Sequence, residues 1–143
     1  SQRARDTGYR VEGMTRERQL STDPIRLQQI LTNYLSNAAK YSFDGDTIVL
    51  KFTDSPKRGV FRLAVQDHGP GIRSEFQGRL FERFARDPSQ KGNGRGTGLG
   101  LAIAQELAQL LGGQVGFHSK PGVLTEFYVD LPRSLLKPKK QAS

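Results

Sequence analysis

Residues 92–104 read Gly-Asn-Gly-Arg-Gly-Thr-Gly-Leu-Gly-Leu-Ala-Ile-Ala, and the rest of the chain is organised around them. Five glycines alternate with mostly polar residues, and an apolar helical pattern then begins without a break. Glycine reaches positive φ and lets a ligand come close to the backbone. A helix N-terminus presents unpaired N–H groups and a partial positive charge. Together they form a cradle for phosphate that feeds a helix. A mobile surface loop with a glycine-rich helix start fits the same residues, so the choice falls to the rest of the chain.

On the N-terminal side, Arg86 to Arg95 carries no apolar side chain beyond Pro88 and reads as a mobile lid. Before it, Leu80-Phe-Glu-Arg-Phe-Ala85 sets Phe81 and Phe84 three residues apart, as core anchors at the base of that lid. A short helix is expected from about Ser74. Further upstream lies Asp67-His-Gly-Pro-Gly-Ile72, an acid at a strand end followed by alternate glycines. A carboxylate only accepts hydrogen bonds, so Asp67 suits an exocyclic amine such as that of adenine. Gly69 and Gly71 let a flat base lie against the backbone. A plain Asp/Gly turn also fits this piece in isolation.

Two segments with a period of two precede that loop, Thr47 to Thr53 and Gly59 to Gln66, and read as a hairpin turned at Asp54 to Gly59. Before them, Asp23-Pro24 signals a helix start, with Asp as N-cap and Pro at the first helical position. Leu27, Leu31, Leu35 and Ala38 form the expected core stripe, with Ile30 and Tyr34 beside it, and the helix should run to about Tyr41. Asn33, Asn37, Lys40 and Tyr41 fall at helical spacing on a second face. Asparagine competes for backbone hydrogen bonds and is a mediocre helix former, so two stacked in mid-helix ask for a reason. One is a solvated face. The other is an amide oxygen ligating a hard cation beside an ammonium that meets phosphate. Near the N-terminus, Tyr9 to Glu12 and Arg18 to Ser21 read as weak edge strands.

On the C-terminal side of the glycine run, a helix from about Leu99 proceeds through Ile103, Leu107, Leu110 and Leu111 and stops at Gly112-Gly113. Gln114 to His118 and Leu124 to Leu131 are two further strands turned at Lys120 to Gly122. The domain is expected over residues 1–132, with 133–143 a basic, flexible tail.

At 143 residues the chain fits one domain able to bury a core, and 35% hydrophobic with 25% charged residues is ordinary for a globular fold. The absence of cysteine excludes disulfides and thiolate metal sites and fits a reducing compartment. No apolar run approaches the ~18 residues of a membrane span, and no signal-peptide pattern opens the sequence. A net charge of +8 raises the question of nucleic acid. The excess is scattered, however, without the aromatic-and-basic interleaving of a base-stacking surface, and nucleic acid is not an expected partner.

Four pieces occur in order: Asn33-x-x-x-Asn-x-x-Lys-Tyr41, Asp67-x-Gly-x-Gly71, Phe81-x-x-Phe84 and Gly96-x-Gly-Leu-Gly-Leu101. Jointly they resemble the catalytic and ATP-binding domain of sensor histidine kinases, within the ATPase superfamily of gyrase B, MutL and heat-shock chaperones. The resemblance covers about residues 7 to 132. It implies an α+β fold: a two-layer sandwich of a mixed, mostly antiparallel sheet of about five strands covered by three helices, with a mobile ATP lid. It implies ATP and Mg²⁺ as cofactors, with Asn37 as the metal ligand and Asn33 near phosphates and metal. Lys40 is similar to the basic position on phosphate and Tyr41 to the residue beside adenine. Asp67 matches the acceptor of the adenine amine, with Gly69, Gly71 and Ile72 completing that loop. Phe81 and Phe84 match the box at the lid base, and Arg95, Gly96, Thr97, Gly98, Leu99, Gly100 and Leu101 the lid end and helix start that carry the phosphates. Thr125 resembles a further position near adenine.

The implied reaction moves the γ-phosphoryl group of ATP to a histidine on a separate dimerisation domain, catalysed here through Asn33, Asn37 and Lys40. Neither His68 nor His118 is followed by an acid, as the accepting histidine is in that family. The expected partners are that dimerisation domain and a response regulator. The isolated chain is expected to be a monomer, the parent kinase a homodimer, and the location cytoplasmic, including as the inner part of a membrane-bound sensor. The alternative within the superfamily is an ATP-hydrolysing conformational switch. Those relatives carry glutamate where Asn33 stands, because a carboxylate can activate water and an amide cannot.

Overall fold

The Asp23 side chain starts the first helix as its composition predicts. Its Oδ1 accepts the N–H groups of Ile25 and Arg26 at 3.0 and 3.3 Å, and α1 runs Pro24–Tyr41. The computed structural model describes residues 8–13, 18–43, 45–54, 56–72, 74–82 and 100–138, and of Tyr41 the backbone alone. The buried stripe of α1 is Leu27, Ile30, Tyr34 and Ala38, while Leu31 and Leu35 are only partly covered. The expected stripe is thus rotated toward Ile30 and Tyr34. The reason is the Tyr34 hydroxyl, which donates to the Tyr128 carbonyl at 2.8 Å. A tyrosine that satisfies its polar end can bury its ring completely. Burial pushes the proton affinity of that hydroxyl up, so it remains a donor.

Among the described residues there are seven strands, of which the first six follow the alternating segments: β1 Gly8–Glu12, β2 Arg18–Leu20, β3 Thr47–Asp54, β4 Val60–Asp67, β5 Gln114–Lys120, β6 Leu124–Pro132 and β7 Leu136–Pro138. Five form one sheet in the order β1-β3-β4-β6-β5, and the remaining pair is β2-β7. Only β1 and β3 run parallel; the other pairings of the large sheet are antiparallel. The sheet is therefore mixed and mostly antiparallel, as expected. Ile48, Phe61, Leu63, Val65, Phe127, Val129 and Leu131 line its covered face. Two helices lie side by side on that face, α1 and α3 (Gly100–Leu110), whose buried residues are Ala102, Ala104 and Ala108. The third helix, α2 (Ser74–Gln77), is a single turn. Small alanines on α3 allow close approach to its neighbours, and Gly113 continues this. A Cβ at Gly113 would stand 2.4 Å from the Asp130 carbonyl oxygen, so only glycine lets the end of α3 turn onto β6.

The opposite sheet face is polar. Arg62 grips Asp130 through two bonds of 2.7 and 2.9 Å and lies 3.7 Å above the Tyr128 ring. One expectation is corrected here. Residues 133–138 of the expected flexible tail are folded, since Arg133–Leu135 form a 3₁₀ turn and β7 pairs with β2; residues 139–143 lie outside the described residues. Arg133 anchors this exit with bonds of 2.9 and 3.0 Å to Asp54, and Leu135 and Leu136 pack on the core. Reading the lysines as a solvated run overlooked those two leucines. Among the described residues no helix is long and apolar enough to cross a membrane.

Candidate functional site

Asn33, Asn37 and Lys40 sit half-buried along one face of α1. The Asn33 amide donates to the Gly100 carbonyl at 3.0 Å, tying mid-α1 to the first residue of α3. The first residue of α3 therefore lies beside the asparagine face. Asn37 has no side-chain hydrogen bond among the described residues, so its amide oxygen can serve a ligand. No cluster of three His, Cys, Asp or Glu side chains suited to a metal occurs among the described residues. A divalent ion here would rely on amide oxygen, ligand oxygens and water, a donor set that Mg²⁺ accepts.

The second sub-site lies at the end of β4. Asp67 is only 5% exposed, and its Oδ1 accepts the Gly69 N–H at 2.8 Å. Burial pushes this carboxyl up to about 6; the Gly69 bond opposes the shift, the Asp46 charge adds to it and His68 counters it. Thr125 stands directly across from Asp67 in the β4–β6 ladder, hence on the same sheet face. Its Oγ1 is buried and has no hydrogen-bond partner among the described residues. An acceptor-only carboxylate beside a hydroxyl without a partner among the described residues, both withdrawn from water, is costly until a further polar group meets them, and suits a flat polar ligand edge.

The loop after Asp67 is clasped from two sides. Gly71 has φ +87°, and a Cβ there would come within 2.8 Å of Pro121 Cα, so glycine is required for the loop to press on the β5–β6 turn. The Ile72 N–H donates to Ser119 Oγ at 3.0 Å, and Gln77 Nε2 donates to the Ile72 carbonyl at 2.9 Å. On the other side, Asp46 receives both the backbone N–H of His68 and its imidazole. Phe81 packs 6.5 and 6.3 Å from the rings of Phe117 and Phe127, as a core anchor.

The structure thus joins Asn33 to Gly100, and Asp67 to Gly69 and Thr125. Leu101 lies at the start of α3, partly buried against the core. Phe84, Arg95, Gly96, Thr97, Gly98, Leu99 and the expected lid lie outside the described residues, as does the Tyr41 side chain. Asp46, Gln77 and Ser119, which hold the loop after Asp67, carry no motif in the sequence. Asp46 carries no signal of its own in the sequence, because its partner is 22 residues away.

Residues 22–135 match the model of the histidine kinase-, DNA gyrase B-, and HSP90-like ATPase family. The sensor protein GacS of Pseudomonas syringae pv. syringae is 41% identical over 116 residues, which are 78% of this chain and 13% of GacS. The chain thus spans a small part of that relative. Among solved structures, the mycobacterial sensor histidine kinase MprB superposes with TM-score 0.76 at 29% identity, covering 94% of this chain and 86% of that one. Full-length ShkA in complex with AMPPNP gives TM-score 0.70 at 28% identity, covering 96% of this chain and 27% of that one. The four motifs, the mixed sheet under α1 and α3 and these matches agree: the chain belongs to the histidine kinase-, DNA gyrase B-, and HSP90-like ATPase family.

Proposed function

We propose that this chain is the ATP-binding catalytic domain of a two-component sensor histidine kinase, a histidine protein kinase whose accepting histidine lies on a separate dimerisation domain. The observation that carries the reading is the buried Asp67 carboxylate beside the unpartnered Thr125 hydroxyl. Ionised Asp67 accepts the 6-amino group of adenine, and Thr125 meets the same edge. The triphosphate extends toward the α3 start, where helix N–H groups and Lys40 favour its charge. Asn37 would hold Mg²⁺, which supplies charge neutralisation on the phosphates. The chain's own contribution is to hold ATP so that its terminal P–O bond is open to in-line attack by an imidazole nitrogen; ADP leaves as the N–P bond forms.

Asn33 favours transfer over hydrolysis. It is an amide, bonded to Gly100, and cannot take a proton from water. The AMPPNP complex of ShkA supports the nucleotide assignment. The partners that follow from this reading are the histidine-bearing dimerisation domain and a downstream response regulator, in a homodimeric parent acting at the cytoplasmic side. Mixing the chain with Mg·ATP in a calorimeter tests the binding step. A wild-type chain that releases no heat with ATP overturns the reading.

A further inference from the structure

Asp46 lies in the turn that leaves α1, at a junction of three elements. Its carbonyl accepts the Gly8 N–H of β1 at 2.9 Å, and its own N–H donates to the Phe43 carbonyl at 3.1 Å. Its side chain is only 6% exposed, yet it serves neither of those contacts. Both carboxylate oxygens go to His68. Oδ2 accepts the His68 backbone N–H at 2.8 Å, and Oδ1 lies 2.9 Å from Nδ1, whose proton it accepts in that tautomer. A bidentate grip on one residue fixes both its position and its orientation. The residue gripped is the immediate neighbour of Asp67. The His68 ring itself is half exposed and contributes nothing to the core.

We propose that Asp46, acting through His68, is a positioning residue for the Asp67 carboxylate and thereby sets how strongly the site prefers a 6-amino purine to a 6-oxo purine. This rests on the adenine assignment made for Asp67. Among the described residues the loop has four clasps: Asp46 at His68, Asp67 itself at Gly69, and Ser119 and Gln77 at Ile72. Asp46 is the one that acts where β4 ends and the chain turns, so it governs the direction from which Asp67 meets a base. A carboxylate held rigidly attracts an amine and repels a 6-oxo group; one that wanders does less of both. Asp46 also acts on Asp67 electrostatically. Asp46 raises the Asp67 carboxyl and His68 lowers it.

The test is calorimetry on the whole chain with Mg·ATP and Mg·ITP, for wild type, Asp46→Ala, Asp46→Asn and His68→Ala. Wild type prefers ATP. Asp46→Ala cuts the ATP/ITP preference about tenfold, the scale of one well-placed hydrogen bond to a charged group, chiefly by loss of ATP affinity. His68→Ala keeps the backbone N–H bond and loses less. Asp46→Asn keeps one acceptor but removes a negative charge, so the acid edge of ATP binding moves to lower pH, which a merely structural role does not produce. A folded Asp46→Ala with wild-type preference overturns the proposal. Should that variant fail to fold, an Asp46→Asn chain with both preference and acid edge unmoved overturns it equally. A wild-type chain that binds neither nucleotide overturns the adenine reading itself, and the two failures are thereby distinguished.

Discussion

Replacing Asp67 by asparagine should move stability and binding in opposite directions. Burial raises the Asp67 carboxyl from 3.8 to about 6, so the ionised group is disfavoured in the folded protein. At ~1.4 kcal/mol per unit, a shift of about two units costs about 3 kcal/mol at neutral pH. The sign follows from linkage. The folded state binds this proton more tightly than the unfolded state, so the contribution is fully present below 3.8 and is lost as pH rises through about 6. Asparagine has no charge to desolvate, and its oxygen can still accept the Gly69 N–H. Its amide adds a buried donor, for which the orphaned Thr125 hydroxyl is the nearest acceptor in register. Allowing for that extra polar group, the ligand-free variant should gain about 1–2 kcal/mol at pH 7, or roughly 4 to 8 °C in Tm. Its affinity for ATP should nonetheless fall, because an amide NH₂ presented to the adenine amine replaces a charged acceptor. About 2 kcal/mol for such a bond corresponds to a loss of about thirtyfold. Thermal melts without ligand and ATP titration by calorimetry measure both quantities on the same samples. An Asp67→Asn chain that melts lower than wild type and binds ATP equally well refutes the reasoning, for Asp67 would then be a structural residue.

Other consequences follow from the same geometry. ATP affinity should decline below about pH 6 while ligand-free stability rises between pH 7 and 5, a divergence visible by paired calorimetry and melting across that range. Gly71→Ala places a Cβ 2.8 Å from Pro121 Cα at φ +87°, so it should destabilise by about 1–3 kcal/mol and weaken ATP binding. Wild-type behaviour in denaturant unfolding contradicts this. Asn33→Ala removes the tie to Gly100 and should cost about 1 kcal/mol in unfolding free energy, together with loss of phosphoryl transfer. Tyr34→Phe, which deletes the bond to the Tyr128 carbonyl but leaves the ring packed, should cost about 1–2 kcal/mol in denaturant unfolding and leave ATP affinity unchanged.

Much of this was legible in the sequence because it rests on local rules. Asp23-Pro24 announces the helix, period-two segments announce β3, β4 and β6, and Gly112-Gly113 announces the end of α3. Asp67 and Thr125 were each identified, but only the sheet register shows them side by side. Non-local contacts account for what was missed. The stripe of α1 is centred on Tyr34 because its hydroxyl finds a carbonyl 94 residues away, which no helical periodicity encodes. Asp46 gains a role only where β1, the end of α1 and the Asp67 loop converge on it. The strand at Leu136–Pro138 reads as tail because basic residues surround it, and its partner β2 lies near the other end of the chain.

The central claim, that this domain binds ATP in order to phosphorylate a histidine elsewhere, is tested most directly by supplying γ-labelled ATP and Mg²⁺ together with a cognate dimerisation domain in trans. The account predicts acid-labile, base-stable phosphohistidine on that domain and negligible label on this chain, with transfer lost in Asp67→Asn. Label released only as free phosphate, dependent on this chain, would contradict it and establish the hydrolysing switch instead.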